Sequence, residues 1–141
     1  MEVLLESRLR ADRQAPRVAR SQARDALAAR VGGVALDAVL LVLSELVTNA
    51  ALHVGGAVRV RLLTRPGVLR VEVEDGSERL PLLRRSLGRS EVSGRGLPLI
   101  AAMARGWGAD PISGGKRVWV DLDAGVRPLP SFAGTDPGSH V

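Results

Sequence analysis

Three polar side chains stand four residues apart in an otherwise apolar stretch of the sequence. They are Glu45, Asn49 and His53, and most residues around them are Leu, Val or Ala. A four-residue spacing places side chains on one side of an α-helix, so the sequence predicts a shared helix face. A carboxylate in apolar surroundings needs a partner, because an unpaired buried charge is costly. This face is a candidate site, although chance polar residues on a core helix would give the same pattern.

A second candidate is the acidic residue Asp75, which ends a strand-like segment and is followed at once by Gly76. Such a pair is typical of a strand that ends in a turn. A carboxylate at this position can also accept a hydrogen bond from an exocyclic amine, and glycine lets a ligand come close to the backbone. The sequence leaves both interpretations open.

A third candidate is a glycine-containing segment formed by Gly94, Arg95, Gly96 and Leu97, directly before an apolar helical pattern. Free backbone amides at a helix start favour phosphate, although a short glycine pattern is more often a simple loop-to-helix turn. The preceding stretch, Gly76 to Gly94, is irregular and contains several Pro, Ser, Gly and Arg residues. Irregular loops of this length are often lids or binding elements, and its arginines could approach phosphates.

Hydrophobic periodicity, together with Gly and Pro, predicts the elements that carry these residues. We expect a short edge strand near the N-terminus, a helix from Pro16 to the glycine pair that begins at Gly32, and a second, apolar helix from Asp37 to Val54. The core side of that second helix carries Leu36, Val39, Leu40, Leu43, Val47, Ala50 and Val54.

An antiparallel hairpin is expected next, formed by AVRVRLLT and GVLRVEVED around Arg65-Pro66-Gly67. Charges alternate with Val and Leu in both segments, so one sheet face should meet water or an Arg/Glu ladder. We then expect a third helix, GLPLIAAMA, and a last strand, RVWVDLD, after a turn SGGK. The Gly, Pro and Ser residues from Ala124 onward predict a disordered tail.

Composition excludes several classes of function. With 141 residues and no cysteine, the chain is expected to form one domain without disulfides, thiolate metal sites or a cysteine nucleophile. The net charge is +5, but the arginines are scattered along the chain and aromatic residues make up only 2%, so we expect no direct nucleic-acid binding. The sequence has no long uninterrupted apolar span and no secretion signal, which predicts a cytoplasmic protein without a membrane partner.

In their order along the chain, these signals resemble the ATP-binding domain of the GHKL ATPases, and within them the branch of anti-sigma-factor serine kinases and related bacterial regulators. The match to the family's N box is ELVTNAALH, from Glu45 to His53. The first glycine box resembles VEDGS, Val73 to Ser77, and the second resembles GRGLPLI, Gly94 to Ile100. Trp107-Gly108 and GGKRVWVDL look like the branch's closing strands, and the resemblance covers roughly residues 10 to 124.

The resemblance implies a role for each candidate residue. Glu45 would be the general base, Asn49 would coordinate Mg²⁺ between the phosphates, and His53 would contact the nucleotide or support the helix. Asp75 would receive the adenine amino group of ATP, and Gly94 to Leu97 would bind phosphate. Mg²⁺ fits this set because it prefers oxygen ligands and keeps several waters. The first glycine box lacks the longer glycine run of histidine kinases and chaperones, and this departure argues against tight binding or hydrolysis of ATP.

We therefore expect an α/β fold, a two-layer sandwich of the Bergerat type with helices on one face of a mixed, mainly antiparallel sheet. Residues 1–124 would form the ATP-binding domain and residues 125–141 a flexible tail. The expected function is that of a serine/threonine protein kinase that binds a sigma factor or another regulator and phosphorylates a small antagonist protein. The alternative is a nucleotide-gated binding module with little or no kinase activity. A detached histidine-kinase catalytic domain is less favoured, since no phosphoacceptor helix pair precedes the motifs, and the resemblance allows a homodimer.

Overall fold

The computed structural model describes residues 1–53, 56–76 and 103–123, except the side chains of residues 52 and 53. These residues form β1 (Glu2–Arg10), α1 (Ala15–Leu27), α2 (Gly33–His53), β2 (Ala57–Arg65), β3 (Val68–Asp75), β4 (Ala104–Ile112) and β5 (Gly115–Leu122). The predicted third helix up to residue 102, the predicted lid beyond Gly76 and the predicted C-terminal tail lie outside the described residues. The last residue of that predicted helix, Ala104, instead begins β4, where it pairs with Leu122 of β5.

The five described strands form one sheet in the order β1-β2-β3-β5-β4, with every described pairing antiparallel. β2 and β3 form the predicted hairpin around Pro66 and Gly67. Gly67 has a φ of +77°, a conformation that favours glycine at the second position of such a turn. The predicted fold class, an α/β sandwich with a mainly antiparallel sheet, is confirmed.

The core lies between this sheet and the two described helices. Small side chains on α1, Ala15, Ala19 and Ala23, recur every four residues and are buried, and this lets α1 pack closely on α2. α2 in turn packs on the centre of the sheet. The buried strand residues that meet the helices are Val58, Val60, Leu62, Leu69, Val71, Val73, Val118, Val120 and Leu122. Leu and Val on strands and helices, with Ala on the helices, form the interior of this aromatic-poor chain.

Helix α2 is apolar enough for one of its windows, Gly33–Ala51, to meet the length and hydropathy expected of a membrane span. Half of that window is buried inside the fold. A core helix covered by α1 on one side and by the sheet on the other gives the same signal, because both of those neighbours turn an apolar face towards it. Of the predicted core residues, Val39, Leu40, Leu43, Val47 and Ala50 are buried, Leu36 is half-buried, and Val54 lies outside the described residues.

The connection between the helices differs from the prediction. α1 ends at Leu27, before the glycine pair, and α2 begins at Gly33, four residues ahead of Asp37. The backbone amide of Leu36 donates to the carbonyl of Gly32 at 2.8 Å, so the glycine pair starts α2 instead of ending α1. Arg30 is buried in the connection, and its guanidinium contacts Glu2 of β1 at 3.2 Å. This contact anchors the connection, and helix propensity alone does not predict such a tertiary contact.

The last hairpin also differs in its bounds. Strand β4 is an edge strand that only the family resemblance indicated. Buried and exposed residues alternate weakly along it, so it is defined by its pairing with β5. β5 begins at Gly115 instead of Arg117, since the turn needs only two residues, Ser113 and Gly114. Gly114 has a φ of +79°. Lys116 therefore lies in the strand and not in the turn.

The sheet face away from the helices carries the predicted Arg/Glu ladder, which we call the open-face ladder. Its members are Arg59, Arg61, Arg70, Arg117, Glu6, Glu72, Glu74 and Asp121. Arg70 contacts Asp121 through two nitrogens, at 2.7 and 2.9 Å, and lies over the Trp119 ring at 4.3 Å. Paired arginines thus cover a face that no described helix covers.

Candidate functional site

The N-box side chains occupy one side of α2. Glu45 and Asn49 are both half-buried and stand one helical turn apart, whereas Leu46 and Val47 between them are buried and Thr48 is exposed. This pattern agrees with the predicted shared face for the first two residues. The third predicted member, His53, is the last residue of α2, and its side chain lies outside the described part of the chain.

A contact from α1 holds the helix next to this face. Arg20 donates from Nη1 to the hydroxyl oxygen of Ser44 at 3.0 Å, in a partly buried position. Ser44 directly precedes Glu45 in the sequence. The hydrogen bond therefore fixes α1 against the turn of α2 that carries the acidic residue. Sequence analysis did not single out Arg20, whose type and spacing match those of an ordinary solvated arginine.

Asp75 lies at the end of β3, on the side of the sheet that faces the helices. Val71, Val73 and Asp75 alternate onto this side, and the first two belong to the core that α2 shares. The Asp75 side chain is only 2% exposed. The structure therefore places Asp75 and the N-box helix on one side of the sheet, with Gly76 exposed directly after the strand.

The Asp75 carboxylate has a cationic partner that the sequence did not reveal. Lys116 of β5 is directly opposite in the strand register, and its Nζ donates to Oδ1 of Asp75 at 2.9 Å. The lysine side chain is itself only 5% exposed. The prediction that assigned Lys116 to a turn hid this pair, and the signal that could have found it is the antiparallel register of β3 and β5.

The backbone around Asp75 is held by a second residue of β5. A Cβ on Gly115 would lie 2.9 Å from the Cα of Gly76, and nearer still to the carbonyl oxygen of Asp75. Real Cβ atoms do not come this close to backbone atoms, so only glycine fits at this position. Two consecutive residues of β5 thus fix Asp75, one through its backbone and one through its carboxylate.

A cavity of about 380 Å³ opens at the same end of the sheet. Its lining includes Arg8, Ala57, Arg59, Glu74, Asp75, Gly76 and Ile112. Arg59 and Glu74 belong to the open-face ladder, so their part of the lining lies on the sheet face away from the helices, whereas the Asp75 carboxylate points to the helix layer. Glu45 and Asn49 are not among the lining residues. The structure brings Asp75 and Gly76 to this cavity and keeps the N-box pair apart from it.

One exposed ion pair, between Arg59 of the cavity lining and Glu6 of β1, shifts the pKa of both of its members. The hydrogen bond from Arg59 to Glu6 lowers the pKa of the Glu6 carboxyl, and the same bond raises the pKa of Arg59. Arg59 also lies 3.6 Å from Glu74. The guanidinium at the cavity wall is therefore engaged by carboxylates of its own sheet.

The donor set determines which metal the chain could hold. Among the described residues, no three or more His, Cys, Asp or Glu side chains form a metal-binding group. The carboxylate of Glu45 and the amide of Asn49 offer oxygen atoms one turn apart on a half-buried face. This set fits Mg²⁺ that arrives with a nucleotide, because phosphates and waters then supply most of its ligands.

Comparison with known proteins decides the family. A model of the histidine kinase-like ATPase domain matches residues 9–120 of the chain. The chain belongs to the histidine kinase-like, or GHKL, ATPase family. The resemblance drawn from the sequence motifs is confirmed at this level, and membership implies binding of ATP. No curated protein matches the chain.

A solved structure supports the same fold. The crystal structure of the RsbU and RsbW domains of Rv1364c from Mycobacterium tuberculosis resembles this ATPase domain with a TM-score of 0.62 and 22% sequence identity. The match covers 89% of this chain and 32% of that one. The chain thus spans about a third of the solved protein, and the likeness concerns the fold alone. The predicted phosphate-binding residues Gly94, Arg95, Gly96 and Leu97 lie outside the described residues.

Proposed function

We propose that this ATPase domain uses ATP with Mg²⁺ to phosphorylate a serine or threonine of a small antagonist protein, as an anti-sigma-factor-like kinase of the cytoplasm. The observation that carries the proposal is the N-box pair, Glu45 and Asn49, half-buried one turn apart on α2. A carboxylate and an amide in this arrangement suit phosphoryl transfer, which needs a group that orients the nucleophile and a metal that neutralises phosphate charge.

Each residue of the proposed site has a distinct task. Glu45 orients the attacking hydroxyl and accepts its proton, while the bond from the bridging oxygen of ADP to the γ-phosphorus breaks and a bond from the hydroxyl oxygen to that phosphorus forms. Asn49 holds Mg²⁺, which supplies charge neutralisation when bound. Asp75 accepts the adenine amino group. His53 has one of two roles, contact with the nucleotide or support of the helix.

Phosphate binding is assigned to the second glycine box. Gly94, Arg95, Gly96 and Leu97 match the family's motif in the sequence, and glycines before a helix leave backbone amides available to an anion. The stretch from Gly76 to Gly94 would close over the nucleotide as a lid.

The partners we propose are proteins. By analogy with the branch that the motifs resemble, they are a sigma factor or another regulator that the domain holds, and the antagonist that it phosphorylates. A homodimer is compatible with this role. We propose no direct contact with nucleic acid or membrane, in keeping with the scattered arginines and with the burial of half of the apolar window in α2.

Transfer of label from radiolabelled ATP to candidate antagonist proteins tests this proposal. Glu45→Gln should lower the transfer rate by about 10²- to 10⁴-fold, because it removes the proton acceptor. The Kd for ATP should stay nearly unchanged, since the base acts on the hydroxyl and not on the nucleotide. The matched control is Asp37→Asn, which converts an exposed carboxylate near the start of the same helix to its amide.

Two results would contradict the kinase assignment. If Glu45→Gln transfers phosphate as fast as the unmodified chain, the carboxylate is a structural residue of α2. If no candidate accepts phosphate while ATP still changes the affinity for a partner, the domain is a nucleotide-gated binding module. Calorimetry that shows no binding of ATP with Mg²⁺ would refute both the kinase and the nucleotide-gated binding module.

A further inference from the structure

The buried ion pair between Lys116 and Asp75 is unlike the other described ion pairs of the sheet. Its two side chains are 5% and 2% exposed, whereas the open-face arginines are 23 to 47% exposed. Burying two charges costs desolvation that their attraction often only balances, so such a pair is a weak source of stability. Its position at the end of β3, beside Gly76, suggests another use.

The cation itself is chemically specific. Lys116 is the only lysine in a chain whose other basic residues are all arginine. An ammonium is compact and has three donors, whereas a guanidinium has five donors in a planar fork that all need partners when buried. The small buried space next to Asp75 therefore suits lysine.

We propose that Lys116 is a positioning residue for base selectivity, and that its ammonium fixes the orientation of the Asp75 carboxylate through Oδ1. The inference rests on the proposed ATP site, in which Asp75 accepts the adenine amine. A carboxylate is a hydrogen-bond acceptor only, so it takes the N6 amine of adenine and repels the O6 oxygen of hypoxanthine or guanine. Lys116 thereby decides which purine the site accepts.

The consequence of removing the cation follows from the same chemistry. Without the ammonium, Oδ1 loses the hydrogen bond that orients the carboxylate, and the side chain can turn away from the adenine amine. The triphosphate does not use this hydrogen bond, so the base contact is the part of the binding that weakens. Loss of Lys116 should therefore weaken discrimination between bases more than it weakens nucleotide binding as such.

The test compares the Kd values of ATP and of inosine triphosphate, which carries O6 in place of the N6 amine, for the full chain with Mg²⁺. The unmodified chain should prefer ATP by about tenfold or more, the range expected for a hydrogen bond to a charged acceptor. Lys116→Met should reduce this preference to about threefold or less, mainly through weaker ATP binding. Lys116→Gln is a second variant in case the first does not fold, and its preference should also fall.

The matched control is Arg117→Met, which removes the neighbouring ion pair on the opposite sheet face. Arg117 contacts Glu74 at 2.7 Å, one residue along each strand from the Lys116–Asp75 pair. This variant should keep the preference of the unmodified chain for ATP. A preference that is also unchanged in both Lys116 variants, even with a lowered melting temperature, would overturn the inference and leave ATP binding intact. Failure of the unmodified chain to bind either nucleotide would instead refute the proposed function.

Discussion

Replacement of Gly115 by alanine should loosen the strand pair that fixes Asp75. The new Cβ would lie 2.9 Å from the Cα of Gly76, and the nearest atoms are all backbone atoms that no side-chain rotation can remove. Ordinary carbon contacts are about 3.5–4.0 Å long and the carbonyl oxygen of Asp75 is nearer still, so β3 and β5 must separate locally by more than about 1 Å. Overpacking of this kind costs about 1–3 kcal/mol. We expect the upper end of that range, because both sides of the contact are backbone.

For a chain of this length, about 3 kcal/mol corresponds to a fall in Tm of roughly 10 °C. Thermal unfolding followed by circular dichroism measures this, and urea unfolding gives the free energy. The matched control is Gly33→Ala, since a Cβ there meets no atom within 4 Å and the residue has no positive φ. The control should be neutral or more stable by up to about 1 kcal/mol. A Gly115→Ala chain that melts within about 2 °C of the unmodified one would refute the close approach.

Three further predictions concern the metal ligand, the core and the open-face ladder. Asn49→Ala should weaken binding of Mg·ATP and reduce phosphate transfer together, because it removes the proposed ligand of the nucleotide-bound metal, and calorimetry with and without Mg²⁺ measures this. Leu43→Ala should destabilise the fold by about 2–5 kcal/mol in urea unfolding, because Leu43 is fully buried, whereas Val34→Ala at an exposed site should change stability by less than about 0.5 kcal/mol. Glu6→Gln should lower the free energy of unfolding slightly at pH 7, because the pKa of the Glu6 carboxyl is lowered in the folded chain. The stabilisation by this carboxylate is present above its pKa in the unfolded chain and is lost as the pH falls through its pKa in the folded chain. The difference between the Glu6 variant and the unmodified chain should therefore close below about pH 4, and a difference that widens there would contradict the assignment.

The parts of the fold that the sequence predicted are those with a strong local signal. α2 was predictable because a long apolar run is interrupted at four-residue spacing, and the β2–β3 hairpin because Pro66-Gly67 separates two alternating segments. The helix boundary at Gly32 was predicted wrongly, since a glycine pair can either end one helix or start the next. The tertiary contact of Arg30 with Glu2 holds the connection in the second arrangement, and this contact lies outside the local sequence pattern.

In the candidate site, too, the residues that local spacing places were predicted and those that tertiary contacts place were not. Glu45 and Asn49 were found because their positions in a helix follow from spacing alone. Lys116 was missed because a lysine after two glycines matches a turn, and because a charged residue on the inner side of a strand contradicts the usual polarity pattern. What decides its place is the residue opposite, Asp75, which is 41 positions away in the sequence. Pairing between distant strands cannot be derived from local pattern.

The open-face ladder also determines where the protein's surplus charge lies. It joins four arginines to four carboxylates, so its own charges cancel, and the net charge of +5 belongs to the rest of the chain. The sequence between residues 77 and 102 alone holds five arginines and two glutamates. Ionic strength should therefore act on the two groups of charges differently: added salt should weaken the proposed attraction between this arginine-rich stretch of sequence and a triphosphate, while the partly buried pairs of the sheet are screened much less.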